Sequence, residues 1–201
     1  MSKTEMSPGL HFFGNLVDLD CYIQDLKLVL RKTEEIEFPE YEEANEDESL
    51  IIDIFPDIPR KSFIVTLLIV LDDQFKTYCE ILKAATGQKL KWNDLRGSAL
   101  DRFLTYSEKV CGLRPFCDDS TRQMLEGLIE VRNCIVHNNS SIDGFSKTKI
   151  IQCFIKQIKG VEIERGYISI DFTACNTCAD IVLRFMEDAY RSALEMFPRE
   201  Y

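Results

Sequence analysis

The residues with the clearest capacity for chemistry lie together at Arg132, Asn133 and His137. The neutral imidazole of histidine titrates near pH ~6.5, so His137 can accept or donate a proton in a reaction. Arg132 keeps its charge and presents a planar fork that matches phosphate oxygens. The chain has two histidines, and the other, His11, falls in an N-terminal segment that we expect to be loose. His137 is therefore the candidate for acid–base chemistry.

Such a set of residues is sufficient to cleave RNA, because the ribose 2′-OH of this phosphodiester supplies the nucleophile. Cleavage then requires one group that takes the 2′-OH proton and one that protonates the leaving oxygen. It also requires positive charge where negative charge develops on phosphorus. A histidine and an arginine meet these needs, and the scheme calls for neither a metal ion nor a cofactor.

The spacing of Arg132 and His137 makes a prediction about local structure. Five helical steps turn a side chain by about 140°, so one straight helix would not direct both residues at one point. We therefore expect the helix to end or bend near His137, and Asn138, Asn139 and Ser140 are typical of helix ends. A plainer interpretation stays open, because an arginine or histidine at a helix end often serves only as a cap.

The helix that carries this motif is predicted to start at a capping box formed by Ser120 and Gln123. The residues spaced to form its inner face are Met124, Leu125, Leu128, Ile129 and Ile135. Arg132 continues their spacing, so we expect it beside buried surface. A charge there needs a phosphate, a carboxylate or carbonyl oxygens as its partner.

Three further patterns upstream predict helices. Apolar residues recur at helical spacing over residues 10–31, and residues 61–85 form a long apolar helix that Gly87 ends. Ser98 and Asp101 match a capping pair at the start of a helix that runs to about residue 110.

The C-terminal third of the chain mixes helical and alternating patterns. Residues 150–158 carry a short helical face, and residues 161–172 alternate around Arg165-Gly166, which predicts a hairpin. Thr173 is expected to cap a final helix that ends near Pro198. Together these patterns predict a mainly α fold: a helical bundle of five to six helices with a small C-terminal β-hairpin.

The acidity of the chain is concentrated in one segment. The net charge is −10, but residues 33–59 contain eleven acids and no Lys or Arg, and the remainder carries +1. We expect this segment to be a solvated loop, with a mimic of nucleic acid or a contact for a basic partner as the alternative. The chain lacks the basic excess of a general nucleic-acid binder, so we expect weak RNA affinity outside a local cleft.

Length and composition indicate one globular domain over residues 1–201, with 45% hydrophobic residues. The sequence begins without an apolar signal segment, and its longest apolar run, residues 64–71, is too short to cross a membrane. Eight scattered cysteines indicate reduced thiols and a cytoplasmic location. Cys175 and Cys178 have the spacing of a zinc half-site or redox pair, but no second pair and no thioredoxin-like context accompany them.

The sequence of residues 128–139, with its Arg-x4-His pattern and the polar Asn133, resembles the motif of the HEPN superfamily. A short Leu-x-Gly connection at residues 95–97, between a long apolar helix and the motif helix, is similar to the RiboL-PSP-like branch. The resemblance covers roughly residues 60–140. It implies a metal-independent endoribonuclease that works as a homodimer, with two motifs in one cleft, in toxin–antitoxin or antiviral defence.

The resemblance also assigns roles and partners. It makes His137 the base or acid, Arg132 the phosphate clamp and Asn133 an orienting hydrogen-bonder, with RNA as substrate and a cognate antitoxin or defence protein as a further partner. Some HEPN toxins carry, two residues after the histidine, a tyrosine that a partner nucleotidyltransferase modifies. This chain has Asn139 there, so the resemblance gives that route of control no support.

Two alternatives remain. In the first, the chain is a non-catalytic HEPN dimerisation and interaction domain, in which Arg132 and Asn133 hold the dimer and the acidic segment recruits a partner. In the second, it is a structural helical adaptor whose motif is accidental. Convergence of Arg132 and His137 from two subunits on an open cleft would favour catalysis over both.

Overall fold

The computed structural model describes residues 7–37 and 56–198. Its α-helices are α1 (Pro8–Glu34), α2 (Asp57–Thr86), α3 (Ala99–Thr105), α4 (Asp119–Asn138), α5 (Thr148–Ile155) and α6 (Phe172–Met196). A 3-10 helix (Trp92–Asp94) precedes α3, a π-helix (Tyr106–Val110) follows it, and strands β1 (Val161–Glu164) and β2 (Tyr167–Ile170) lie before α6. The predicted mainly helical fold with a small C-terminal hairpin is confirmed.

The chain divides into two compact units. The first consists of the described parts of Met1–Tyr22, Ile69–Arg122 and Ile181–Tyr201, and the second of the described parts of Ile23–Leu68 and Gln123–Asp180. Helices α1, α2, α4 and α6 therefore each contribute residues to both units. The assignment of residues 1–201 to one domain stays a prediction.

Aromatic side chains form the core of the first unit. Phe75 and Phe103 stack with their ring centroids 4.3 Å apart, and Tyr78 lies 5.2 Å from Phe103. Tyr78 is fully buried, and its hydroxyl donates a hydrogen bond of 2.7 Å to the carbonyl oxygen of Ala189. Burial raises the pKa of the Tyr78 phenol well above its usual value, so the hydroxyl stays a donor.

Replacing Tyr78 with phenylalanine is expected to lower the free energy of unfolding by about 1 kcal/mol, because one buried hydrogen bond is lost without loss of ring volume. Tyr22 on α1 is 47% exposed, so Tyr22→Phe provides the matched control, with a change within about 0.5 kcal/mol. Urea unfolding followed by circular dichroism measures both. Equal midpoints for Tyr78→Phe and the wild type would contradict the expectation.

Helices α4 and α5 pack closely in the second unit. Buried residues of α4 include Leu125, Leu128, Val131 and Cys134. Gly127 lies on the same helix, and a Cβ atom built on it would stand 2.5 Å from the Cβ of buried Phe154 on α5. The absence of a side chain at this position therefore sets how closely the two helices approach.

The hairpin forms as predicted. Strands β1 and β2 are antiparallel, with Val161 opposite Ile170 and Glu164 opposite Tyr167. At the turn, Arg165 and Gly166 have φ of 50° and 86°. Two consecutive residues with positive φ are what a tight two-residue hairpin turn requires.

Two predicted helix starts are wrong. Helix α4 begins at Asp119, and Asp118 is its cap: the Asp118 carboxylate accepts a 2.7 Å hydrogen bond from the backbone N–H of Thr121. This bond lowers the pKa of the Asp118 carboxyl. Ser120, the predicted cap, lies inside the helix, because a carboxylate two residues earlier already takes the free N–H group.

The same correction applies to α6. Asp171 accepts a 2.6 Å hydrogen bond from the backbone N–H of Ala174, so Asp171 is the cap and Thr173 lies within the helix. The predicted pair at α3 is confirmed, since Asp101 N–H donates to Ser98 Oγ at 3.1 Å in a full capping box. The long helix that Gly87 ends is confirmed as α2.

Two predictions at the N-terminal side also need correction. Residues 33–59 were expected as one loop, yet α1 continues to Glu34 and α2 begins at Asp57; residues 38–55 lie outside the described part. The sequence predicts a loose segment around His11, whereas His11 lies in α1. The reason is Phe12, whose fully buried ring anchors this first part of the helix. No described helix has the length and apolar character needed to cross a membrane.

Candidate functional site

The motif residues Arg132, Asn133 and His137 all lie near the C-terminal end of α4, in the second unit. The helix ends at Asn138, one residue after His137, which confirms the predicted helix end. Asn139 follows with a φ of 48°, a left-handed conformation that asparagine tolerates better than most residues. The motif histidine is therefore on the last turn, at the exit of the helix.

The chain that leaves the helix is held by several hydrogen bonds. Ser140 is buried, and its backbone N–H donates to the carbonyl oxygen of Cys134 at 3.0 Å. The side-chain amide of Asn138 donates to the carbonyl oxygens of Ser141 and Asp143, at 2.5 and 3.0 Å. The helix end beside His137 is thus fixed by its own polar residues.

Strand β2 also holds this loop. The backbone N–H of Ile168 donates to the carbonyl oxygen of Ser140 at 2.8 Å, and Ser141 forms an isolated antiparallel bridge with Tyr167. The hairpin therefore helps to fix the loop that follows α4, a role that the sequence does not predict for it.

The inner face of α4 differs from the one predicted. Met124, Ile129 and Ile135 were expected inside but are only half-buried, while Val131 and Cys134 are buried. The difference arises because the buried stripe advances in three-residue steps from Leu125 through Leu128 to Val131 and Cys134. Arg132 follows Val131 and is half-buried, as expected for a residue at the edge of the stripe.

Arg132 has incomplete hydrogen bonding. Its Nη1 donates to Asn133 Oδ1 at 3.2 Å, whereas its Nε atom is buried and has no partner among the described residues. The predicted partners were a phosphate, a carboxylate or carbonyl oxygens, and within that part of the chain the only hydrogen-bond acceptor seen is an amide oxygen. A buried N–H without an acceptor costs about 1–3 kcal/mol, so the guanidinium retains unused hydrogen-bonding capacity.

A polar network extends from Asn133 away from Arg132. Asn133 Nδ2 donates to Glu130 Oε2 at 3.3 Å, and Lys147 Nζ lies 2.9 Å from Glu130 Oε1. The Glu130 side chain is only 11% exposed, so its charge is largely shielded from water and is compensated by Lys147. Neither Glu130 nor Lys147 is predicted from the sequence; the one available signal is an acid three residues before Asn133, on the same face of the helix.

His137 is exposed, and the described residues place no hydrogen-bond partner on its ring. Because Arg132 and His137 both lie within α4, their side chains leave the helix about 140° apart. Arg132 bonds to Asn133 rather than to the imidazole. One chain therefore does not bring the two residues together.

The buried cysteines of α4 and α6 are poor nucleophiles. Burial raises the pKa of the Cys134 thiol on α4, and it raises that of Cys175 on α6 to about 12. Both stay protonated at neutral pH, and it is the thiolate that reacts. Cys178 is buried with Cys175, and the described residues contain no group of three His, Cys, Asp or Glu side chains that could hold a metal ion.

A scan against protein-family models finds no match, and neither a search of the curated proteins nor one of the solved structures finds any. The resemblance to HEPN proteins therefore stays a prediction from the sequence.

Proposed function

We propose that this chain is a metal-independent endoribonuclease of HEPN type that acts as a homodimer. The observation that carries the proposal is the half-buried guanidinium of Arg132, whose Nε has no acceptor among the described residues, five residues before an exposed imidazole at the end of the same helix. An arginine N–H that lacks an internal acceptor is suited to bind a phosphate oxygen. An imidazole free of internal partners is suited to proton transfer.

The chemistry follows from RNA itself. The imidazole of His137 accepts the proton of the ribose 2′-OH, and O2′ forms a bond to phosphorus while the bond to the 5′ oxygen breaks. The leaving oxygen takes a proton from the partner subunit's His137, which leaves a 2′,3′-cyclic phosphate and a 5′-OH. Arg132 stabilises the charge on the non-bridging oxygens, and Asn133 orients the guanidinium through its 3.2 Å hydrogen bond.

The divergence of the two side chains is the reason for proposing a dimer. Arg132 and His137 of one chain cannot meet at one phosphate, because about 140° separates them around the helix. A two-fold axis beside α4 places Arg132 of one subunit next to the partner subunit's His137, and repeats the pair by symmetry. One cleft then holds both histidines and both arginines.

The wider role is proposed from the family resemblance: a cytoplasmic toxin or antiviral defence effector, with a cognate antitoxin or defence protein as partner. The charge distribution agrees with a local site, because the chain outside residues 33–59 carries a net charge of only +1. RNA binding then depends on the cleft rather than on a broad basic surface.

The second candidate is a non-catalytic interaction domain. It is favoured by the bonds that join Arg132 to Asn133, Asn133 to Glu130 and Glu130 to Lys147. Such a network fixes side chains in place and would serve a dimer interface without any chemistry. In this case the free N–H of Arg132 meets a carbonyl or carboxylate of the second copy.

The change Arg132→Lys separates the two functions. If the site is catalytic, the dimer persists and single-turnover cleavage falls by at least about tenfold, because lysine cannot supply the bidentate fork. If Arg132 only holds the dimer, the variant dissociates more readily and the wild type cleaves no RNA. Sedimentation velocity and a single-turnover RNA assay on the same preparation decide between them.

Arg184→Lys is the matched control, because Arg184 is an exposed arginine on α6. It should change neither association nor cleavage. An Arg132→Lys variant that is dimeric and fully active would refute both functions and leave Arg132 as a helix-end cap.

A further inference from the structure

A cavity of about 650 Å³ opens in the first unit, formed by the C-terminal part of α2, the loop that follows and the π-helix. Lys83, Lys91, Trp92 and Tyr106 are among its lining residues. Its volume is in the range of sites for small organic ligands, about 300–1,000 Å³. None of its lining residues belongs to the motif helix α4.

The cavity wall is fixed by hydrogen bonds within the unit. Tyr106 is fully buried and donates through its hydroxyl to the carbonyl oxygen of Leu90 at 2.9 Å. Gln88 donates through its side-chain amide to the carbonyl oxygen of Val110 at 3.1 Å, which ties the loop to the π-helix. π-Helical turns are rare and frequently occur at functional sites. The cavity is therefore preformed rather than created by loose packing.

The indole ring of Trp92 forms part of this wall. Trp92 is half-buried, lines the cavity and starts the 3-10 helix, whose Asp94 carboxylate accepts a 2.9 Å bond from the Lys91 N–H. The guanidinium of Arg102 lies 4.9 Å from the indole ring. The Nε atom of Arg102 is buried and has no hydrogen-bond partner among the described residues. The guanidinium thus stabilises the position of the indole and adds positive charge next to it.

The charge of the cavity opposes that of the whole chain. Lys83 and Lys91 line it, and within the described residues neither takes part in an ion pair; Glu80 is the acid that lines it. In a chain of net charge −10, two lysines that the described residues leave without carboxylate partners, beside a tryptophan, form a local cationic site. Unpaired lysines at a cavity mouth attract phosphate oxygens.

We propose that this cavity binds a nucleotide, with the base against Trp92 and the phosphate at Lys83 and Lys91. Glu80 is placed to accept hydrogen bonds from ribose hydroxyls. Stacking on an aromatic ring together with cationic contacts to the phosphate is how proteins hold unpaired nucleotides. The nucleotide is either a free mononucleotide or one unit of a single-stranded RNA. The inference rests on the first unit alone and not on the proposed ribonuclease activity.

Trp92 is the single tryptophan of the chain, so its fluorescence reports on this cavity directly. The full-length protein is titrated with adenosine 5′-monophosphate, with inorganic phosphate and with a short single-stranded RNA of non-cleavable 2′-O-methyl nucleotides. Excitation at the red edge of the indole band avoids absorption by the nucleotides. We expect saturable quenching by the mononucleotide or the oligonucleotide, at least about tenfold tighter than by phosphate, because the base adds a stacking contact. Tighter binding of the mononucleotide identifies a free ligand, and tighter binding of the oligonucleotide identifies an RNA strand.

The double change Lys83→Gln with Lys91→Gln should weaken the binding at least about tenfold, since two charge-assisted contacts are lost. Lys89→Gln is the matched control, because Lys89 is an exposed lysine of the same loop that does not line the cavity. If the double variant does not fold, Lys91→Gln alone in the exposed loop provides the comparison. Absence of quenching by either nucleotide probe, equal binding of inorganic phosphate, or lysine variants that bind like Lys89→Gln would overturn the proposal.

Discussion

Replacing His137 with alanine is expected to abolish RNA cleavage and to leave the fold intact. Loss of a general acid or base lowers a rate by about 10²–10⁴-fold, and the symmetric dimer loses both at once. The change in stability should stay within about 0.5 kcal/mol, because His137 is exposed on the last turn of α4 and has no partner in the described structure.

The measurement compares wild type and variant on bulk RNA with EDTA present, which also tests independence of divalent metals. His11→Ala is the control, because it removes the other histidine, also exposed, from α1. Thermal unfolding of all three proteins establishes that they are folded. A folded His137→Ala protein that cleaves RNA at the wild-type rate would rule out the catalytic role of the imidazole.

The second large effect concerns Gly127. Alanine favours a helix over glycine by about 1 kcal/mol, so Gly127→Ala would stabilise α4 if space were free. The new Cβ would instead stand 2.5 Å from the Cβ of Phe154, and Phe154 is buried and cannot swing away. Overpacking of about 3 kcal/mol then exceeds the helical gain. We expect a net loss of about 2 kcal/mol in the free energy of unfolding.

Gly14 provides a control of opposite sign. It is also a helical glycine, in α1, and a Cβ built on it meets no atom within 4 Å. Gly14→Ala should therefore raise stability by about 1 kcal/mol. Chemical denaturation of the two variants in parallel tests the argument, and stabilisation by Gly127→Ala would show that α4 and α5 are not as closely packed as described.

Features with a local cause were predictable from the sequence. The end of α2 before Gly87 follows from the apolar spacing and the glycine, and the hairpin follows from alternation around the Arg165-Gly166 turn. The end of α4 follows from Asn138 and Asn139, because these side chains satisfy or bend the backbone next to them. In each case the deciding interaction lies within a few residues.

Features decided by competition or by distant residues were not predictable. Asp118 and Ser120 are both good caps, and the choice between them depends on which backbone N–H is free. The pairing of Glu130 with Lys147 joins residues seventeen positions apart, across a loop whose course no periodicity indicates. The cavity at Trp92 depends on how a loop, α2 and the π-helix pack together, and no local sequence pattern predicts that packing.

The hydrogen bonds between the loop after α4 and strand β2 have a consequence for local unfolding. Ile168 N–H bonds to Ser140, and Ile142 N–H bonds to the carbonyl oxygen of Gly166, so the loop behaves as an extra edge strand of the hairpin. Segments joined in this way open and close cooperatively, with one shared free energy. The amide hydrogens of the loop and of β2 then exchange with solvent in the same opening event. A substitution in the hairpin turn would therefore change the population of the state in which the end of the motif helix is held in place. The turn lies far along the chain from His137.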